Sequence, residues 1–382
     1  MARVGTALMA AMMVGLVGCQ GSPAAEHDGA SATMFVAAGG VTSFYTHAGA
    51  EQLYRAAKYK EAEAMCQQAI RAIEKAKGDK SWELAEPLND LATVYLRQAR
   101  WSDAKAAIDR AESVLDPTVP QQALILGRLG INKGWRLYSL GETPGATKAF
   151  EDARGLLEKN NKGESKDMAE IINNIGLMYE EEAEENDDDA QLAQARRMLL
   201  QGWQMRRKLT GEESPETGES LNNLGMFFLF NASGAEDVSL AVKTLEKALD
   251  VSKKVYGEEN PETAMSRTNL AMAYILLDRY DDAEKELKLA MPVTLRVMGA
   301  KHPDRAYQLT SMGRILQEQT HYDEAEKAFT EAVAINEAVY GKNHPNVASS
   351  LKYLAGLYEA KGDEIKQKEV EKRIEKLSEK GI

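Results

Sequence analysis

Cysteine is scarce in this chain of 382 residues, which contains only Cys19 and Cys66. A small secreted scaffold held together by several disulfides is therefore excluded. Cys66 lies in an apolar stripe with helical spacing, which predicts a buried free thiol. An excess of basic residues is also missing, because 47 Lys and Arg stand against 59 Asp and Glu and give a net charge of -12. This balance disfavours nucleic acid and anionic lipid as the main partner.

The sequence motifs of common catalytic sites are missing as well. There is no Gly-rich phosphate-binding loop, no metalloprotease helix motif and no nucleophile elbow. Two of the five histidines, His302 and His344, stand 42 residues apart, each directly before a proline. We interpret both as turn residues rather than as shared metal ligands. The sequence thus predicts a protein that is not an enzyme and has no cofactor or metal.

The N-terminus carries a short apolar run. Residues 4 to 17 are small or apolar, and Arg3 is the only charge before Cys19. The run is too short for a permanent membrane span and is typical of a secretory signal. Its end, Leu16-Val17-Gly18-Cys19, resembles the lipobox of bacterial lipoproteins. That resemblance implies removal of residues 1 to 18 and acylation of Cys19. With Gln20 next, it also implies an outer-membrane location, which we place on the periplasmic face.

A tether is predicted between the lipidated cysteine and the folded part. Residues 19 to 43 are rich in Gly, Ala and Ser, the composition of a flexible linker. Within this segment, Met34-Phe35-Val36 is too apolar for a pure linker. We expect these three residues to contact another part of the protein.

A repeat of about 42 residues runs through the C-terminal half. Pro215, Pro261, Pro303 and Pro345 each follow a polar residue and are 46, 42 and 42 residues apart. A proline in that position predicts the first turn of a helix. A second helix follows each of these starts, as the phrases Tyr280-Asp281-Asp282-Ala283-Glu284 and Tyr322-Asp323-Glu324-Ala325-Glu326 indicate.

These phrases resemble the tetratricopeptide repeat in its long, kinesin-light-chain-like form. The resemblance implies an all-α fold, a right-handed superhelical solenoid of about eight antiparallel helix pairs. We place the solenoid at residues 44 to 362 and a capping helix at residues 363 to 382. An acidic insertion, residues 180 to 189, is predicted to be a solvated loop.

A recurring small residue supports the helix pairs. Seven of the first helices have an apolar anchor, such as Leu224, Leu270 or Met312, followed directly by Ala or Gly, and the first repeat is degenerate, with Gly49 at this position. A small residue at this point lets the two helices of a pair approach closely. The spacing of the anchors therefore predicts where the helices of each pair touch.

In the family that the repeat resembles, the first helices line a concave groove that binds protein segments. Position by position, the resemblance implies a groove of mixed Asn and Met/Leu character. An asparagine amide can both donate to and accept from an extended peptide backbone. The implied groove residues are Asn89, Asp90, Asn173, Asn174, Leu177, Asn222, Asn223, Met226, Asn269, Met272 and Arg314.

The sequence therefore predicts a non-catalytic, lipid-anchored scaffold that binds a protein or peptide at the bacterial cell envelope. Pilotins and assembly factors of envelope complexes resemble this layout in architecture. The alternative is a structural lipoprotein that self-associates through its convex or end surfaces. A homo-oligomer therefore remains open as a partner of the chain.

Overall fold

The computed structural model describes residues 33–36, 42–160 and 162–378. The predicted signal, Cys19 and the first part of the tether lie outside the described residues. No helix in the described ranges is long and apolar enough to cross a membrane.

The described residues form sixteen α-helices in eight consecutive pairs. The first helix of each pair is termed the A helix and the second the B helix. The eight A helices are α1 (His47–Arg55), α3 (Ala85–Arg97), α5 (Pro120–Ser139), α7 (Lys166–Asn186), α9 (Pro215–Phe230), α11 (Pro261–Leu276), α13 (Pro303–Glu318) and α15 (Pro345–Lys361). The eight B helices are α2 (Tyr59–Lys77), α4 (Trp101–Ser113), α6 (Thr143–Lys159), α8 (Asp189–Thr210), α10 (Ala235–Tyr256), α12 (Tyr280–Met298), α14 (Tyr322–Tyr340) and α16 (Glu364–Ser378). A short 3-10 helix, Trp82–Leu84, precedes α3. The predicted eight helix pairs are confirmed.

Two compact units make up the chain. The N-terminal unit contains the described residues up to 183 together with residues 188–220. The C-terminal unit contains residues 184–187 and continues from residue 221 to the end of the described chain. The division falls within α9, so Glu216 belongs to the N-terminal unit and Asn222 to the C-terminal unit.

The repeated prolines begin helices as predicted. Pro261, Pro303 and Pro345 each occupy the first turn of an A helix, and the residue before each one caps that helix. Nδ1 of His302 accepts from the backbone N–H of Asp304 at 3.3 Å, and Nδ1 of His344 accepts from that of Asn346 at 3.2 Å. The interpretation of the two histidines as turn residues is therefore confirmed.

The small residue after each anchor allows the two helices of a pair to touch. A Cβ atom added to Gly225 would lie 2.6 Å from Cγ of Leu245, and one added to Gly313 would lie 2.6 Å from the Phe329 ring. Phe329 is fully buried, so its ring has no free space to move into. The prediction of close A-to-B packing at this column is confirmed.

The prediction of a flexible tether up to residue 43 is wrong at its C-terminal end. Thr33–Val36 and Thr42–Tyr45, termed β1 and β2, pair as antiparallel strands, with Phe35 opposite Ser43. Both strands contain threonine and aromatic residues, which favour extended backbone. The fold is thus helical apart from this one hairpin among the described residues.

The prediction of an acidic loop at residues 180 to 189 is also wrong. Helix α7 continues to Asn186 and α8 begins at Asp189, so most of the insertion is helical. Glutamate is a good helix former, and here the extra residues lengthen the A helix. Glu180 and Glu181 are buried rather than solvated.

The other two predictions about packing concern Cys66 and the C-terminal helix. Cys66 is a free thiol with no exposed surface, as predicted, and burial raises the pKa of its thiol. Helix α16 covers the last A helix. Its Leu377 is buried in a cluster with Val333, Val347 and Leu351.

Candidate functional site

The implied groove residues lie on A helices, and most of them are buried. Arg314 is half-buried, whereas the following ten are buried: Asn89, Asp90, Asn173, Asn174, Leu177, Asn222, Asn223, Met226, Asn269 and Met272. Their contacts divide them into residues that stabilise the stack and residues that keep unused hydrogen-bonding capacity.

Asn89 and Asn222 use their amides between neighbouring A helices. Oδ1 of Asn89 accepts from Nδ2 of Asn132 at 2.9 Å, and Nδ2 of Asn222 donates to Oγ of Ser266 at 2.8 Å. Asn132 and Ser266 are each on the next A helix of the same unit. These two asparagines therefore stabilise the repeat stack in the structure.

Asp90 is paired with residues just before and within α1. Its Oδ2 accepts from the Tyr45 hydroxyl at 2.6 Å, and its Oδ1 lies 2.8 Å from Nδ1 of His47. The Asp90 charge raises the pKa of His47 to about 9, against the opposing effect of burial. His47 is therefore a cation at neutral pH, and Asp90 holds the start of the chain's first helix pair.

Asn174 is also a structural residue. With its amide turned so that the oxygen faces Trp135, it accepts from Nε1 of Trp135 at 3.2 Å and donates to the backbone oxygen of Glu170 at 3.3 Å. Its neighbour Asn173 differs, because Oδ1 of Asn173 is buried without a hydrogen-bond partner.

A second set of unused polar atoms lies in the C-terminal unit. Asn223, Asn269 and Ser311 occupy the position before the anchor in three successive A helices. Oδ1 of Asn223, Oδ1 of Asn269 and Oγ of Ser311 are buried and have no hydrogen-bond partner. Buried polar atoms are almost always paired, so three unpaired ones at equivalent positions need an explanation.

These three residues share a helix face with the residues three positions later. We define the groove face of the C-terminal unit as Asn223, Met226, Asn269, Met272, Ser311, Arg314, Tyr353 and Gly356. One contact shows that neighbouring members meet: Nη1 of Arg314 lies 2.9 Å from the sulfur of Met272.

An open cleft of about 230 Å³ lies at the end of the groove face. Its lining residues come from α11, α13, α15 and the start of α12. They are Ile275, Tyr280, Arg314, Gln317, Glu318, Lys352, Tyr353 and Gly356. The cleft is large enough for one or two side chains of a bound segment.

The cleft presents two cations that are not neutralised. Neither Arg314 nor Lys352 forms an ion pair within the described part of the chain. The Arg314 guanidinium carbon lies 5.8 Å from the centre of the Tyr353 ring, at a distance where the ring face stabilises a cation. Glu318 is the one carboxylate in the lining, so the cleft has a net positive charge in an otherwise acidic protein.

The tyrosines of the cleft stay neutral near pH 7. Burial raises the pKa of Tyr353, and the Arg314 charge opposes that rise. Burial, a hydrogen bond to Asp278 and the charge of Glu318 raise the pKa of Tyr280 to about 12. The Tyr353 hydroxyl can therefore donate a hydrogen bond to an anionic or carbonyl oxygen, whereas the Tyr280 hydroxyl already donates to Oδ1 of Asp278 at 2.8 Å.

The groove columns that the repeat implies reach the cleft at Arg314 and, on the last A helix, at Lys352, Tyr353 and Gly356, but they miss the other four lining residues. Gln317 and Glu318 lie three and four residues after Arg314, so helical spacing alone could have placed them on the same face. Tyr280 had been assigned only to the repeat phrase that begins a B helix. Within the described residues, no group of His, Cys, Asp and Glu could hold a metal ion.

Comparisons with known proteins agree with the fold. A family model described as "Tetratricopeptide repeat" matches residues 48–116, 233–296, 268–338 and 304–366. No curated protein matches the sequence.

Solved structures are similar at low sequence identity. A Rap protein complexed with competence and sporulation factor is 13% identical, with a TM-score of 0.58 over 87% of this chain and 97% of that chain. The TPR-like repeats of a kinesin light chain from Podosopora anserina are 23% identical, with a TM-score of 0.41 over 53% of this chain and 94% of that chain. BtubC (BKLC) from P. vanneervenii is 17% identical, with a TM-score of 0.46 over 63% and 91%.

Proposed function

Because the chain belongs to the tetratricopeptide repeat family, we propose that it is a non-catalytic scaffold whose C-terminal unit binds an extended segment of a partner protein. Proteins of this family mediate protein–protein interactions. The observation that carries the proposal is the open cleft around Arg314, Lys352 and Tyr353, continued by unpaired polar atoms on the groove face.

The chemistry of the cleft favours a carboxylate on the partner segment. Arg314 supplies a planar set of N–H donors that fits a carboxylate, and Lys352 adds a second positive charge. Oδ1 of Asn223 and Oδ1 of Asn269 can accept hydrogen bonds from backbone N–H groups of the same segment. The Rap structure, which holds competence and sporulation factor, supports a binding role for a chain of this fold.

We also propose that the scaffold is a lipoprotein of the bacterial outer membrane, anchored through Cys19 on the periplasmic face. The Leu16-Val17-Gly18-Cys19 sequence supports this location, and several acyl chains on one residue would anchor the protein stably. Metabolic labelling with a palmitate analogue should mark the wild-type protein and leave Cys19→Ser unlabelled.

The binding role is tested by affinity capture from cells of the source organism. Three tagged forms are compared: wild type, Arg314→Ala with Lys352→Ala, and Lys285→Ala with Lys327→Ala. Lys285 and Lys327 are exposed on B helices, so the control loses the same charge away from the cleft. A direct partner should fall at least about tenfold in the cleft variant, since a lost charged hydrogen bond costs about 1.5–3 kcal/mol.

The control form should capture that partner as wild type does. Equal loss from both double variants would show that net charge, rather than the cleft, drives binding. Capture of only the chain itself by all three forms would favour the self-associating alternative.

A further inference from the structure

The first and ninth helices of the chain touch through a buried ion pair inside the N-terminal unit. Nη2 of Arg55, at the end of α1, lies 2.8 Å from Oε1 of Glu216 on α9, 161 residues further along the chain. In a repeat stack each unit contacts its neighbours, so helix pairs one and five have no reason to meet by stacking alone. This contact therefore joins two A helices of the unit that are not neighbours in the stack.

Glu51 is the second carboxylate beside the Arg55 guanidinium. Nε of Arg55 lies 2.8 Å from Oε1 of Glu51, an ion pair that lacks the alignment of a hydrogen bond. The side chains of Arg55, Glu51 and Glu216 are only 12%, 5% and 4% exposed. The Arg55 guanidinium thus contacts two buried carboxylates, and burial raises the pKa of Glu51 to about 7 despite the opposing charges of Arg55 and His47.

Nearby cations do not complete the pairing. Burial lowers the pKa of Lys166, and the charges of Glu216 and Glu51 oppose that effect. Lys166 nevertheless forms no ion pair within the described residues. Nη1 of Arg206 donates to the backbone oxygen of Glu216 at 3.2 Å rather than to its carboxylate. The side-chain pairing of Glu216 therefore depends on Arg55.

Several buried oxygens in this unit have no hydrogen-bond partner. Among them are Oε2 of Glu216, Oε1 of Glu170, Oδ1 of Asn173 and Oε1 of Glu51. Arg206 connects the first two, because it contacts Glu216 and its charge favours the ionised form of Glu170. The unpaired buried oxygen of the Glu216 carboxylate indicates a site for a ligand that brings N–H donors and positive charge.

We propose that Glu51 and Glu216 form a second binding site, for an arginine side chain of an extended protein segment, and that Arg55 occupies this site in the free protein. A guanidinium presents two parallel N–H donors, so an incoming arginine can contact both oxygens of Glu216. Arg55 leaves Oε2 of Glu216 unpaired. After displacement Arg55 stays beside Glu51, so neither charge is left alone.

The site goes beyond the carboxylate-binding cleft of the C-terminal unit and has the opposite charge preference. In the free protein, the Arg55 to Glu216 contact keeps the A-helix side of the N-terminal unit closed. A cationic segment opens it by competing with Arg55 for Glu216.

Chemical rescue tests the proposal directly. The probe is Nα-acetyl-arginine amide, added to purified wild type, Arg55→Ala, Arg55→Ala with Glu216→Gln, and the control Arg154→Ala. Arg154 pairs with Glu158 at 3.3 Å on the surface, so its removal frees a carboxylate that is not buried. We expect saturable calorimetric binding to Arg55→Ala, at least about tenfold weaker binding to wild type and to Arg154→Ala alike, and none to Arg55→Ala with Glu216→Gln.

A second measurement uses only the wild-type protein and remains informative where Arg55→Ala does not fold. Nα-acetyl-arginine amide at saturating concentration should speed amide hydrogen exchange in residues 47–55 and leave residues 101–113 unchanged. Unchanged exchange in residues 47–55 would overturn the proposal. Binding that persists when Glu216→Gln is added to Arg55→Ala, or no binding to folded Arg55→Ala, would overturn it as well. These experiments do not involve the C-terminal cleft, so a result that overturns the arginine site leaves the proposed function unaffected.

Discussion

The Tyr45 hydroxyl donates a 2.6 Å hydrogen bond to Oδ2 of Asp90, which joins the end of β2 to the second A helix. Both residues are buried. Asp90, a predicted groove residue, thus binds the end of a hairpin that the sequence analysis had assigned to the tether. The bond is charge-assisted, because the acceptor is a carboxylate that also faces protonated His47.

Removal of this hydroxyl should destabilise the N-terminal unit. Tyr45→Phe keeps the ring and deletes only the donor, so we expect the free energy of unfolding to fall by about 2 kcal/mol. Urea denaturation of the purified chain without residues 1–32 measures the change. Tyr179→Phe is the control, because its hydroxyl bonds Glu151 at the surface and should be worth less than about 0.5 kcal/mol. Equal effects of the two variants would contradict the account of Asp90.

The His47 to Asp90 pair should make stability depend on pH. The pKa of His47 is about 9 in the folded protein against an ordinary 6.5, so the folded state holds the proton more tightly. Its contribution is therefore complete below pH 6.5 and is lost as pH rises through 9. Wild type should exceed His47→Gln by about 1–3 kcal/mol at pH 6, and the difference should vanish by about pH 10. A pH-independent difference would show that the pair is not charged.

Glu170 should also make the protein less stable as pH rises, although it is an acid that is neutral in the folded state. Burial raises its pKa from 4.5 to about 8, so the folded protein keeps this carboxyl protonated where the unfolded chain ionises it. Stability is lost as pH rises from 4.5 to 8, because the unfolded chain releases the proton that the folded protein retains. Glu170→Gln cannot ionise. It should therefore match wild type near pH 5 and be more stable by about 1–3 kcal/mol at pH 9. Equal pH profiles for the two proteins would contradict this reading.

Gly313, in the column of small residues, should not tolerate an added methyl group. Gly313→Ala would place Cβ 2.6 Å from the buried Phe329 ring, and we expect a loss of about 1–3 kcal/mol in the stability of the C-terminal unit. Gly356→Ala, on the next A helix, meets nothing within 4 Å and should be neutral or stabilising by up to about 1 kcal/mol. Thermal unfolding measures the stability of both variants. An unchanged stability of Gly313→Ala would contradict the account of close packing at this glycine.

The helices were predictable because their causes are local. A proline in the first turn, an anchor and a following Gly or Ala recur along the chain, so the period alone located eight pairs. The acid-rich insertion was misjudged for the opposite reason. Charge composition indicated a loop, but glutamate favours helix, and Glu180 and Glu181 are buried.

The candidate sites were less predictable because they depend on contacts between distant residues. The resemblance placed Asn222 on a binding face, but its amide bonds Ser266, a partner that the repeat pattern does not reveal. The Arg55 to Glu216 contact spans 161 residues and follows from no repeat period. Arg314 was found because it breaks the apolar column of Leu177, Met226 and Met272, and its cleft was visible only in the structure.

The most direct test of the scaffold role is site-specific photo-crosslinking in living cells of the source organism. A photoreactive amino acid replaces Gln317 in the cleft or, as the matched control, exposed Lys327 on α14. The account predicts a cross-linked partner from position 317, abolished by Arg314→Ala with Lys352→Ala, and no such product from position 327. Cross-links to a partner only from position 327, or only between copies of this chain, would contradict binding in the cleft.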